Sequence, residues 1–352
     1  MGDRVKSAIL KSGLDALYYS GAASALAPMT RGVGVIFMLH HVKPCAGKTF
    51  DPNGILSITP DFLDAAIKRT RERGRDIISI DEAVKRLSDG NTTRPFAVFT
   101  LDDGYRDNLE CALPVFKRHD APFTVYVSSA APQGTAELWW IGLEEVIARN
   151  DALEIEREGV SKRVACATCV EKQAAWRELY PWIRSAPEDE QRAIVRDLCE
   201  RYGVSLEKVC RDVSMSWDEV RKLASDPLVT IGGHTVNHFA LSKLDETRAC
   251  QEMKAGADMI ANEVGAQPQH FAYPYGDTGS AGTREFGLAK DLGFKSAVTT
   301  RKGMLTAKHR DQLHALPRVA LNGDFQSLRY VDTFLSGAPF FLLNGFRQIA
   351  DY

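Results

Sequence analysis

The sequence predicts an α/β fold, a deformed (β/α) barrel with about seven or eight mostly parallel strands. Short apolar runs alternate with helical patterns along nearly the whole chain, and this alternation is typical of a parallel sheet with crossover helices. The 352 residues hold enough repeats of the alternation to close a barrel. An open, doubly wound sheet is the alternative, but no glycine-rich phosphate fingerprint follows any of the runs.

Eight apolar runs are the candidate strands, and helical patterns separate most of them. The candidate strands cover 33–39, 76–79, 96–101, 123–128, 228–232, 270–273, 295–299 and 316–321. The candidate helices cover 60–73, 81–88, 107–119, 245–264, 283–292 and 325–335. The clearest helix start is Thr59-Pro60, because threonine caps helices and proline is favoured at the first helical position.

Residues 130–225 interrupt the alternation with a long, charged, helix-leaning stretch. We therefore predict a barrel domain over 32–336 with a helical insertion at about 130–225. Residues 1–31 are predicted to form an N-terminal helical segment, and 337–352 a C-terminal tail. Trp139 and Trp140 open the insertion. Tryptophan rings can stack on sugars, although anchoring the insertion to the core explains them equally well.

The composition is that of an ordinary globular protein, with 26% charged and 44% hydrophobic residues. A formal net charge of -2 gives no electrostatic case for nucleic-acid binding. Seven cysteines without disulfide-module spacing indicate reduced thiols, and the lone Cys166-x-x-Cys169 pair is interpreted as structural. The sequence offers no transmembrane segment. We expect a cytoplasmic protein, with peripheral membrane contact as the alternative.

The most informative stretch is the Asp102-Asp103-Gly104 sequence at the end of the run 96–101. A helix N-cap or a turn would explain an isolated pair of aspartates. However, His234 and His238 also follow an apolar run, and two histidines four residues apart on one helical face can hold one ion. Together these residues indicate a metal site of two histidines and one carboxylate, with a free carboxylate beside it.

Other polar residues follow other candidate strands. His40 and His41 come directly after 33–39, and Pro274 and Tyr275 come after 270–273. In a parallel barrel the carboxyl ends of all strands lie on one face, where barrel active sites form. We therefore expect these residues to meet the aspartates and histidines on that face.

Three stretches, LDDGYRDN, GGHTVNH and AYPYGD, resemble the polysaccharide deacetylases in that order along the chain. This carbohydrate esterase family includes the nodulation-type chitooligosaccharide deacetylases. The resemblance implies removal of N-acetyl groups from an oligo- or polysaccharide, or a glycan precursor, that contains N-acetylglucosamine. It also implies a divalent metal ion as cofactor, with Zn²⁺ the expected ion.

The resemblance also implies roles for individual residues. Asp103, His234 and His238 would be the metal ligands, and Asp102 the general base. The backbone near Tyr275 would stabilise the oxyanion. Around these we expect substrate contacts from Tyr275, Pro274, Arg318 and Trp140.

The chain departs from the common family pattern at two places. The family's usual acid is a histidine near the C-terminus, but His314 precedes a candidate strand and should lie on the opposite face. Leu39-His40-His41-Val42 resembles the permuted poly-N-acetylglucosamine deacetylase subgroup, which takes its acid from the first strand. We therefore assign His40, with His41 as second choice. Ala272 stands where much of the family has an arginine, and Arg318 is the expected replacement.

Two other functions remain open at this stage. One is a carbohydrate-binding protein with a degenerate deacetylase barrel. The other is a glycoside hydrolase that uses Asp102 and Asp103 as its acid pair. That chemistry needs carboxylates on opposite sides of the scissile bond, about 5 to 9.5 Å apart, which adjacent residues at one strand end rarely achieve. The sequence does not name the N-acetylated glycan.

Overall fold

The computed structural model describes residues 3–45, 47–157 and 159–346. Its strands are β1 (Gly34–Leu39), β2 (His41–Val42), β3 (Ser57–Ile58), β4 (Asp76–Ile77), β5 (Phe96–Leu101), β6 (Phe123–Val127), β7 (Ala152–Arg157), β8 (Val160–Ala165), β9 (Val229–Gly233), β10 (His270–Ala272), β11 (Ser296–Lys302) and β12 (Leu316–Ala320). Within the described residues, seven parallel strands close a barrel in the order β1-β12-β11-β10-β9-β6-β5, and β1 pairs with β5 to complete the ring. The predicted (β/α) barrel is confirmed.

The first strand lies between a middle strand and the last one. β1 pairs with β5 over its whole length, from Gly34 opposite Phe96 to Leu39 opposite Leu101, and with β12 at Phe37 opposite Val319. β4 is a short extra strand beside the start of β5. Because all seven barrel strands run the same way, their carboxyl ends meet at one end of the barrel, here called the rim.

The helices are α1 (Asp3–Tyr19), α2 (Ala22–Thr30), α3 (Pro60–Glu72), α4 (Ile80–Ser88), α5 (Leu113–Arg118), α6 (Trp139–Arg149), α7 (Cys169–Ser185), α8 (Glu188–Arg201), α9 (Leu206–Val213), α10 (Trp217–Ala224), α11 (Glu246–Val264), α12 (Thr283–Asp291), α13 (Leu328–Leu335) and α14 (Ala338–Leu343). Thr59 caps α3 as predicted, since its side chain accepts a hydrogen bond from the Phe62 N–H. The helix expected over 107–119 instead starts with a wide π-turn at Asn108–Ala112. Pro114 has no N–H and so cannot donate the α-helical hydrogen bond to the carbonyl four residues earlier, which lies in this turn.

The stretch predicted as a helical insertion also contains a β-hairpin. Strands β7 and β8 pair antiparallel, with Leu153 and Ile155 buried and the glutamates between and after them exposed. This two-residue alternation is the strand signal that the charged composition obscured. The hairpin packs with α6–α9 in a core separate from the barrel core, whereas Val220 and Leu223 of α10 pack in the barrel core.

The predicted N-terminal helical segment contains two helices. The chain turns between α1 and α2 at Gly21, whose φ of +75° suits glycine. In the predicted C-terminal tail, α14 packs against α2 and α13. Residues 1–2 and 347–352 of the two predicted end segments lie outside the described residues. No helix in the described part of the chain combines the length and apolar character needed to cross a membrane.

Candidate active site and metal centre

Three side chains converge at the rim in a way that fits a metal ion. Asp103 follows β5, and His234 and His238 follow β9. The Asp103 Oδ1 atom lies 3.3 Å from His234 Nε2 and 3.2 Å from His238 Nε2. One possible ligand atom from each of the three residues lies within 4.8 Å of the others, and all three residues are buried.

The surroundings of the two histidines orient a ring nitrogen of each toward Asp103. His234 Nδ1 lies 2.7 Å from the carbonyl oxygen of Ala272, so this nitrogen donates a hydrogen bond and the ring is oriented with its Nε2 toward Asp103. Burial lowers the pKa of His238 to about 4 despite the opposing charge of Asp103, so this ring is neutral at pH 7. Asp103 Oδ1 has no hydrogen-bond donor among the described residues. Buried acceptors in this arrangement fit a divalent cation.

The two histidines do not share a helical face, contrary to the prediction. Residues 234–238 form a loop after β9, and the chain reverses there because Thr235 and His238 have φ values of +64° and +57°. The Thr235 hydroxyl fixes the turn by accepting a hydrogen bond from the His238 N–H at 3.0 Å.

Left-handed backbone recurs at the functional positions. Asp103 has a φ of +73° and Tyr275 a φ of +60°, in addition to His238. This region is costly for side chains with a Cβ, and such strain concentrates at functional sites. Here it turns residues that follow different strands toward one point.

Asp102 is held by an arginine from the last strand of the barrel. Arg318 donates to Asp102 through two hydrogen bonds of 2.7 Å and also donates to the Thr299 carbonyl at 2.9 Å. Burial raises the pKa of Asp102, but the Arg318 charge and hydrogen bonds outweigh it and leave the pKa below its usual value. The Arg318 side chain is fully buried. Arg318 is not among the residues that line the pocket, and its guanidinium contacts Asp102 instead, so its contact with substrate stays a prediction.

The candidate acids occupy different ends of the barrel. His40 lines the same pocket as Asp102 and the three converging side chains, and burial lowers its pKa although both aspartates oppose this. His41 turns away: its Nδ1 lies 2.6 Å from Asp107 and its ring stacks on Tyr105 at 3.6 Å. His314 precedes β12, away from the rim, where its Nε2 donates to the Phe294 carbonyl at 2.7 Å.

Of the remaining predicted substrate contacts, two line the pocket and one does not. Trp140 and Tyr275 line the pocket, and the Trp140 and Tyr275 rings lie 4.9 and 4.8 Å from the His238 ring. Trp139 Nε1 donates to the Tyr275 hydroxyl at 2.8 Å, which favours the anchoring interpretation of that tryptophan. Pro274 is buried and is not part of the pocket lining.

Four lining residues were not predicted from the sequence: Asn53, Leu56, Tyr180 and Thr300. The first two lie in a short 3₁₀ helix, Pro52–Leu56, in the segment after β2, and Tyr180 lies in the insertion. No local pattern marks Asn53 or Leu56. The aromatic spacing of Trp176 and Tyr180 on α7, whose rings stack at 4.8 Å, was the one available signal for the tyrosine.

The fold is shared with solved structures. The chain matches the Streptococcus pyogenes deacetylase PplD in complex with acetate with a TM-score of 0.57 and 17% identity, over 86% of this chain and 97% of that one. IcaB from Ammonifex degensii matches with a TM-score of 0.54 and 16% identity over 86% and 97%. A de-N-acetylase from Aggregatibacter actinomycetemcomitans matches with a TM-score of 0.53 and 15% identity over 86% and 99%.

A family match covers the histidine cluster. The polysaccharide deacetylase family model matches residues 195–297, which include His234, His238 and Tyr275. No curated protein matches the sequence. This match confirms, over residues 195–297, the resemblance to the polysaccharide deacetylases that the sequence motifs indicate.

Proposed function

We propose that this protein is a metal-dependent deacetylase that removes N-acetyl groups from glycans containing N-acetylglucosamine. The observation that carries the proposal is the buried Asp103 carboxylate, whose Oδ1 faces the Nε2 atoms of His234 and His238 and has no hydrogen-bond donor among the described residues. One carboxylate with two imidazoles suits Zn²⁺, and the open positions that three protein ligands leave suit catalysis. The solved structures that share the fold include a deacetylase and a de-N-acetylase, which supports the reaction class.

The amide of an acetamido sugar is a weak electrophile with a poor leaving group. A divalent ion held by Asp103, His234 and His238 would polarise the acetyl carbonyl and make water more acidic. Asp102 acts as the general base and takes the proton of the attacking water. The two hydrogen bonds from Arg318 keep the Asp102 carboxylate ionised and fix its orientation.

The other half of the reaction needs a hydrogen-bond donor and an acid. The Tyr275 N–H donates no hydrogen bond to any described residue, so it is free to stabilise the oxyanion. His40 acts as the acid that protonates the departing amine, as the permuted subgroup would require. Its position on the pocket wall, after β1, supports this role.

The test measures acetate release from N-acetylglucosamine oligosaccharides by the metal-free and the zinc-loaded full-length protein. We expect activity only with the ion, its loss on chelation and its return when zinc is added. His234→Ala should lose bound zinc and activity together, because it removes one of three ligands.

His314→Ala is the matched control, because His314 also donates one ring N–H to a backbone carbonyl at 2.7 Å. It should keep both zinc and activity. Full activity of the metal-free protein, or zinc retained in His234→Ala at wild-type stoichiometry, would contradict the proposal.

A further inference from the structure

The catalytic pocket has a roof built by segments outside the barrel strands. Helix α6 contributes Trp140, α7 contributes Tyr180, and the loop after β2 contributes Asn53 and Leu56. The barrel supplies the floor with the aspartates and histidines described above. The roof therefore joins two parts of the chain that are far apart in sequence.

Hydrogen bonds fasten the two parts of the roof to each other. The Asn53 side-chain amide donates to the Trp140 carbonyl at 3.1 Å and to Glu144 Oε2 at 2.7 Å. Four residues before Asn53 in the same segment, the Thr49 carbonyl accepts a hydrogen bond from Cys169 Sγ of α7 at 3.1 Å. Since Asn53 and Trp140 both line the pocket, their contact closes the pocket on that side.

The space under the roof is small. The cavity measures about 110 Å³, against roughly 300–1,000 Å³ for pockets that hold drug-sized ligands. The side chains on its floor are almost covered, with Asp102 3%, Asp103 5% and His238 7% exposed. The cavity can take an acetamido group with part of one sugar ring.

We propose, on the basis of the deacetylase function above, that the pocket accepts an N-acetyl sugar at the end of a chain, or a short saccharide, and excludes the interior residues of a polymer. An interior residue carries sugars on both sides and needs a groove that is open at two ends. The Asn53–Trp140 contact closes one of these. A terminal residue enters end-on, with its acetamido group toward Asp102 and the rest of the glycan outside.

The test determines where acetyl groups are lost. The zinc-loaded full-length protein is incubated with N-acetylglucosamine oligosaccharides of increasing length, and the deacetylated positions are located by mass spectrometry after labelling the reducing end. We expect acetate loss at one end of the chain, with an amount per chain that does not rise with length. Acetate loss from interior positions that rises with chain length would overturn the inference and leave the proposed function intact.

A roof variant sharpens the result. Asn53→Ala removes both hydrogen bonds to α6, and we expect the interior share of the released acetate to rise about tenfold, as fits the loss of two hydrogen bonds. Asn150→Ala is the control, because Asn150 donates to the Val146 carbonyl at the other end of α6. It should keep the wild-type pattern. An unchanged pattern in Asn53→Ala would overturn the role of the roof, and no acetate release from any glycan would overturn both proposals.

Discussion

The rim and the opposite end of the barrel both bury charged side chains, but they satisfy them differently. At the opposite end, just before β4, Arg75 is 5% exposed and donates to the Leu335 carbonyl at 2.7 Å and the Arg31 carbonyl at 3.2 Å. These carbonyls lie at the C-terminal ends of α13 and α2, where helices carry partial negative charge. At the rim, Asp103 Oδ1 has no hydrogen-bond donor among the described residues.

The difference separates a buried charge that the protein's own groups compensate from one that they do not. Burial lowers the pKa of Arg75 to about 10, with a further contribution from Arg31, so the guanidinium stays charged at neutral pH. Its charge is met by the protein's own carbonyls. The charge of Asp103 is not compensated in this way, because its Oδ1 accepts no hydrogen bond from the described residues. We therefore expect substitutions at the rim to change activity, and substitutions at the opposite end to change stability.

The largest effect after loss of a metal ligand is expected for Asp102→Asn. The variant should keep its zinc and lose about 10²- to 10⁴-fold in kcat, the range for removal of a general base. Asp332→Asn is the matched control, because Asp332 also accepts two hydrogen bonds of 2.7 Å from one arginine, Arg73, outside the pocket. Zinc content and kcat are measured for both. Loss of zinc in Asp102→Asn would reverse the roles of the two aspartates.

The next-largest effect is expected at His40, which lies at the rim, and His314 at the opposite end of the barrel provides the comparison. His40→Ala should keep its zinc and lose about 10²-fold or more in kcat, because no acid then protonates the leaving amine. His314→Ala should keep wild-type kcat. An inactive His314 variant beside an active His40 variant would show that the acid follows the common, unpermuted family order.

A smaller effect, on stability alone, is expected for Arg75→Met. The change leaves the carbonyls of Leu335, Arg31 and Phe96 without this donor, and we expect the free energy of unfolding to fall by about 3 kcal/mol with zinc content and kcat unchanged. Urea unfolding measures this. Arg71→Met is the control, since Arg71 is exposed and donates to a single carbonyl, that of Asp120; it should cost under about 0.5 kcal/mol. If folded Arg75→Met protein lost activity, the opposite end of the barrel would affect activity as well as stability, and the distinction between the two ends would be wrong.

The smallest effect is a dependence of stability on pH. His309 is fully buried and accepts a hydrogen bond from the Thr306 N–H at its Nδ1, and burial lowers its pKa to about 4. Because this pKa lies below the unfolded value near 6.5, the native state loses stability as pH falls from neutrality toward 4. Between pH 7 and pH 5 we expect a loss of about 2 kcal/mol. His309→Gln should show a shallower slope in urea unfolding over this range; an equal slope would assign the loss to other groups.

The barrel could be predicted because its strands are apolar runs with a period that the sequence displays directly. All six residues of β5 are buried, as expected for a strand covered on both faces. The hairpin was missed because β8 buries only Val164 and exposes its other five residues, so its pattern resembles a solvated segment.

The candidate site was predictable to the extent that its residues directly follow strands. Spacing brought His234 and His238 into one hypothesis, although a loop and not a helix joins them. The ion pair of Asp102 with Arg318 spans 216 positions, and no local pattern reports such a contact. No local pattern reports the contact of Asn53 either, because its partner helix α6 begins only at Trp139.

The placement of β1 between β5 and β12 has a consequence for folding. β1 and β5 can pair early in synthesis and so bring His40 beside Asp102, but the ring closes only when β12 is available. Until then the Asp102 carboxylate lacks the arginine that compensates its burial, and an uncompensated buried charge opposes compaction. A contact of such long range is formed late because loop closure must come first. The step that completes the barrel is therefore also the step that brings Arg318 to Asp102, so a chain with an unclosed barrel has no assembled candidate site.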